Sequence, residues 1–137
     1  MRHFNIYLFN FWAILVVTLI QWVLGGLWYS LLFRKPWMAL VGHKPDAKPK
    51  DAAVAMIVSF IGGFVLSFVL AHVIVWSSAW TWHRGAVVGA ICWLGFIAIP
   101  TMSQHLYEKR PFKLFAINAG YWFFALVISG VVLAVWR

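Results

Sequence analysis

The stretch "AAVAMIVSFIGGFVLSFVLAHVIVW", Ala52 to Trp76, runs for 25 residues without an Asp, Glu, Lys or Arg. About 20 helical residues rising 1.5 Å apiece cross a hydrocarbon layer of roughly 30 Å, so this segment reads as a membrane-spanning helix. Ala55, Ser59, Gly63, Ser67 and Ala71 recur at every fourth position within it. Small residues on one slowly drifting stripe let a second backbone approach closely, and helices pack in this way where lipid removes the hydrophobic driving force.

Outward from this segment, three more stretches lack charged side chains: His3 to Phe33, Gly85 to Tyr107 and Leu114 to Trp136. The expected spans are about 10–33, 52–76, 84–105 and 111–136. The fold class is therefore all-α, a bundle of four transmembrane helices in one domain, 1–137, with a loop near 34–51. Apolar residues form 64% of the chain and charged residues 10%, a balance that excludes an ordinary soluble domain. The first apolar run is too long for a secretory signal and lacks a small-x-small cleavage site, so it is expected to stay as a helix. Cys92, the lone cysteine, lies within the third span and has no partner for an intramolecular disulfide.

The net charge of +8 reads as topology. Arg34, Lys35, Lys44, Lys48, Lys50, Lys109, Arg110 and Lys113 fall in the first and third connections, against Arg2, Arg84 and Arg137 on the other side. Cytoplasmic connections carry the excess of Lys and Arg, which places both termini outside. The same cations suit an anionic lipid surface, and no motif that reads nucleic-acid bases accompanies them.

Local signals refine the spans. Pro100 interrupts the third, removing a backbone donor and predicting a kink near Phe96 to Pro100. Gly85 and Gly89 open the same span four residues apart, and Pro111 suits the first turn of the fourth. "RKPWMALVG" predicts a short interfacial helical turn, "HKPDAKPKD" a polar loop, and "RHFNIYLF" either an extension of span one or a surface segment. "RKPW" at Arg34 to Trp37 and "KRPF" at Lys109 to Phe112 follow the first and third spans. That echo permits a weak repeat of two helical hairpins, or reflects the independent preference of cations and proline for helix ends.

"GGLWYSLLFRKPWMALVG" at Gly25 to Gly42 and "FKLFAINAGYW" at Phe112 to Trp122 resemble a family of small bacterial integral membrane proteins of unknown function, domain of unknown function 1761. Trp28, Tyr29, Ser30, Lys35, Trp37, Glu108, Arg110, Pro111, Asn118, Gly120 and Tyr121 match its pattern, while Leu31 stands where the family commonly has a proline. The resemblance covers nearly the whole chain. It implies a compact four-helix protein of the bacterial inner membrane and supplies no activity.

Polar residues in and beside the spans are the remaining candidates. Thr101, Gln104, His105 and Glu108 share about one helical face, and Asn118, Tyr121, Tyr29 and Ser30 fall at similar depth. Two readings compete. One is a polar pocket in the inner leaflet, with His105 or Glu108 as proton acceptor or cation ligand. The other is a structural clamp in which Glu108 pairs with Arg110, Lys113 or the early amides of span four, while Asn118 and Tyr121 bridge helices. Gln21, mid-span in the first helix, predicts an interhelical hydrogen bond. His72 predicts an interfacial histidine reaching polar headgroups.

With three acids in the chain, Asp46 and Asp51 among them in the loop, acid-base catalysis has little to work with, and no cofactor or metal motif appears. The expected role is a non-enzymatic accessory or interaction subunit, associating with itself or other membrane proteins in the bilayer. The alternative is a small oligomeric transporter or channel.

Overall fold

The computed structural model describes residues 10–41 and 49–136. The segment "RHFNIYLF" and most of the polar loop lie outside the described residues. All described elements are helical: α1 (Phe11–Leu27), a π turn (Trp28–Leu32), α2 (Arg34–Val41), α3 (Pro49–Trp76), α4 (Trp82–Trp93), a second π turn (Leu94–Ala98), α5 (Ile99–Tyr107) and α6 (Phe112–Val135). Four continuous helical stretches are long and apolar enough to cross a membrane: Phe11–Leu32, Lys50–Trp76, Trp82–Tyr107 and Phe112–Val135. The spans thus differ by a few residues at most from the expected bounds.

Helix ends follow recognisable chemistry. Asn10 caps α1, its Oδ1 accepting from the amides of Trp12 and Ala13 at 3.1 and 3.2 Å. Pro49 to Asp51, expected in the loop, instead form the first turn of α3, where proline loses no hydrogen bond and the aspartate suits the helix dipole. Pro111 stands one residue outside α6, in extended conformation at its N-cap. The two turns between long helices share one device. Ala79 N donates to Ile74 O and Ser78 N to Val75 O, both at 3.1 Å, while Arg110 N donates to His105 O at 2.9 Å and Lys109 N to Leu106 O at 3.3 Å. Each is a Schellman motif with a left-handed residue at its corner, Ser78 at φ 53° and Lys109 at φ 54°.

"RKPW" lies within the start of α2, whereas "KRPF" passes through the left-handed corner and the extended Pro111. The two echoes therefore follow different backbone paths. Where a kink is expected before Pro100, the helix has the π turn Leu94–Ala98, which loosens the ladder where the proline cannot donate. The π turn Trp28–Leu32 is followed by Pro36, inside α2 and four residues beyond its last residue.

Helix α6 is the hub: it packs against each of the other five helices and buries the most residues. Its most extensive contact is with α4. There Gly85 and Gly89 bring the α4 backbone onto the α6 carbonyls of Gly130 and Leu126, where no Cβ fits. The apolar core, Ala13, Ile14 and Val17 with Leu70, Ala71, Ile74, Leu126, Leu133 and Ala134, occupies the half of the bundle away from α2. At the other half, Lys50 to Ser59 of α3 are exposed throughout. His72 is 1% exposed, its Nδ1 2.7 Å from the Phe68 carbonyl and its ring between Phe68 and Trp76. Its surroundings are its own helix row in place of headgroups.

Candidate functional site

The candidate residues separate into three groups along the bundle. Deepest is a network centred on Gln21, whose partners include Ser67 of the stripe and the candidate Tyr121. Gln21 Nε2 donates to Ser67 Oγ at 3.1 Å and to Ser129 Oγ at 3.0 Å, tying α1 to α3 and α6. Thr18, one turn away, donates to the Ile14 carbonyl at 2.8 Å and lies beside Ser67. Tyr121 donates to the backbone carbonyl of Gln21 at 2.8 Å. Thr18, Gln21, Ser67 and Ser129 are each at most 2% exposed. Such groups survive in an apolar bundle only when paired with one another.

The second group is an aromatic clasp on α6. Tyr29 donates to Asn118 Oδ1 at 2.8 Å and lies 5.6 Å, ring to ring, from Tyr121 and 5.2 Å from Trp37. Trp28 donates its indole N–H to the Ile117 carbonyl at 3.0 Å, and Trp93 on α4 donates to that of Ala119 at 2.8 Å. Gly120 makes room for the Trp28 ring and Gly25 for the Tyr121 hydroxyl. The π turn sets this up, since its wider coil carries Trp28 and Tyr29 to the α6 side while Ser30, Leu31 and Leu32 stay exposed.

The third group closes the α5 to α6 turn. Arg110 Nε lies 2.7 Å from Glu108 Oε2, and Gln104 Nε2 donates to Glu108 Oε1 at 3.2 Å. All three side chains are exposed. His105 turns inward against Phe115, its Nδ1 2.9 Å from the Thr101 carbonyl. A carbonyl only accepts, so Nδ1 carries the proton and Nε2 is left as a buried acceptor without a partner among the described residues. Tyr29, Asn118 and Tyr121 therefore meet, as do Gln104 and Glu108. Ser30 and the half-buried Thr101 make no side-chain bond among the described residues.

The small-residue stripe is also divided. Gly63, Ser67 and Ala71 are buried, Gly63 against Thr18 and Gln21, whereas Ala55 and Ser59 are exposed. Sequence reading missed Ser129, Thr18, Gly130 and Trp93 as contact residues. The only available signal was the polar or small character of the first three within apolar runs.

Four long apolar helices closed by buried polar bonds define a multi-pass helical membrane protein. The chain belongs to the family described as Protein of unknown function (DUF1761), whose model matches residues 12–134. Searches of the curated proteins and of the solved structures found no match.

Proposed function

We propose that this chain is a non-enzymatic subunit of a membrane assembly, formed with copies of itself or with other integral membrane proteins, in the bacterial inner membrane with both termini outside. One observation carries the reading. The stripe on α3 keeps its spacing from Ala55 to Ala71, yet the bundle uses only the half from Gly63 onward. A close-packing face longer than the chain's own fold requires suits a neighbouring helix. The polar side chains agree with this role, because the buried hydroxyls bond to backbone carbonyls of their own helices, Gln21 bonds to two of them, and Glu108 is held by Arg110. The charge asymmetry of eight cations against three supports the orientation.

Single cysteines at Ala55, Ser59 and Gly95, each in a Cys92→Ser background, test the proposal by oxidative cross-linking in native membranes. Adducts at Ala55 and Ser59 but not at Gly95 are expected, with either a homo-oligomer or a stoichiometric partner in native mass spectrometry. Monomer alone in both measurements would overturn it.

A second reading, an oligomeric transporter or channel for a small solute, draws on His105 Nε2, which has no partner among the described residues, near the α5 to α6 turn. Solute flux in proteoliposomes that is lost in His105→Phe, with an unchanged melting temperature, would favour it over the subunit role.

A further inference from the structure

The central network can be followed hydrogen by hydrogen. Ser67 gives its hydroxyl hydrogen to the Gly63 carbonyl at 2.7 Å, Ser129 gives its own to Ala125, and Thr18 to Ile14 at 2.8 Å. All three hydroxyls are thereby committed to their own helices and turn only lone pairs toward the centre. The Gln21 amide must meet them with its nitrogen, and both of its hydrogens are taken, one by Ser67 and one by Ser129. Flipping the amide would set oxygen against oxygen. Tyr121 is committed to the Gln21 backbone carbonyl. What remains is Gln21 Oε1, buried and without a partner among the described residues, in a cluster with no hydrogen left to donate to it.

We propose that Gln21 Oε1 is the acceptor of a mid-membrane binding site for a small uncharged ligand that donates hydrogen bonds, whether a neutral solute carrying N–H or O–H groups or water itself. Donation is required because the surrounding side chains present only lone pairs. Neutrality is required because His3 to Phe33, Ala52 to His83 and Leu114 to Trp136 contain no Asp, Glu, Lys or Arg to balance a charge at that depth. Small size follows from the wall beside the oxygen: a Cβ on Gly63 would lie 3.2 Å from Oε1 and 3.7 Å from Thr18 Cγ2. Entry is expected from the α3 side. Gly62 has nothing within 4 Å of its Cβ position, and Lys50 to Ser59 are exposed, so the part of α3 leading to Gly63 is the part least tied to the bundle. This site rests on the Gln21 network, and its acceptor needs no second chain, although a helix seated on Ala55 and Ser59 would cover the entry side.

The chain has two glutamines, Gln21 and the exposed Gln104, so a Gln104→Asn variant labelled with side-chain 13C-glutamine reports one carbonyl. In lipid nanodiscs, its infrared stretch is recorded with formamide, which has N–H donors, and with N,N-dimethylformamide, which has none. A saturable downshift with formamide alone identifies a solute site. A band already at the hydrogen-bonded position, with magnetisation transfer from water to the labelled carbon, identifies water as the donor. Gly63→Ala, which narrows the site, should abolish either signal, and Gly62→Ala should preserve it, both variants being checked for an unchanged helical spectrum. A band at the free-amide position that neither formamide nor water alters would overturn the proposal.

Discussion

Gly85 and Gly130 face each other across α4 and α6 so closely that a Cβ on either would collide with the carbonyl oxygen of the other. The collision is with backbone, which cannot rotate away as a side-chain tip can. Gly85→Ala should therefore destabilise the bundle by about 1 to 3 kcal/mol, the usual cost of overpacking. Gly95→Ala, at a position with nothing within 4 Å, should be tolerated and is the matched control. Unfolding in mixed micelles measures both, and equal stability would remove the backbone contact from the account of the fold.

Gln21 joins three helices, so its partners should behave as a coupled set. Ser129→Ala leaves one amide hydrogen of Gln21 without an acceptor, and a loss of about 0.6 to 2 kcal/mol is expected. Once Gln21→Leu has removed the donor, the same serine change should cost much less. A double-mutant cycle on thermal unfolding gives the coupling directly, and independent additive effects would separate the two residues.

Glu108 and Lys109 make different contributions to one turn. The Glu108 to Arg110 pair is exposed, so Glu108→Gln should cost only about 0.2 to 1 kcal/mol, with the Schellman hydrogen bonds still holding the corner. Reversal to lysine would crowd four cations into the turn and cost more. Lys109→Gly should raise stability by about 0.5 to 1 kcal/mol, because φ 54° is unfavourable for a side chain with a Cβ. Melting temperatures of the three variants in one detergent order these effects, and a destabilised Lys109→Gly would contradict the corner assignment.

Orientation yields a prediction of its own. Periplasm-active reporters fused at Arg137 should be active and those inserted within Lys44 to Lys50 silent, following the asymmetry of positive charge. The reverse pattern would exchange the two faces.

The spans were legible because hydropathy is summed over a window and survives errors in detail. Contacts between spans depend on which residues face each other, and a single sequence carries that poorly. Gly85 and Gly89 announced a close approach by their spacing, but nothing near them named Gly130 or Leu126 as its other side. Gln21 announced a polar bond without saying that Ser67 and Ser129 would share it. The turns at Ser78 and Lys109 were silent because neither places glycine at the left-handed corner, where glycine is the usual signal. The expected polar pocket grouped residues by depth, and depth alone did not say that Tyr29 would bond Asn118 while Gln104 bonds Glu108.

The π turn at Leu94–Ala98 acts as a change of phase within the third span. Counting in α-helical steps from Gly85 and Gly89 would aim Gly95 and Phe96 at α6, yet both are exposed, and Ala98 and His105 are buried instead. The wider coil rotates everything downstream about the helix axis. A one-residue deletion between Leu94 and Ala98 would consequently remove the stored residue, return the coil to α-helical pitch and leave His105 facing Phe115, whereas α-helical pitch at full length would swing it away. The partnered face of this span is thus kept by storing one extra residue in a wider turn, so a span one residue shorter without the π turn would present the same side chains to α6.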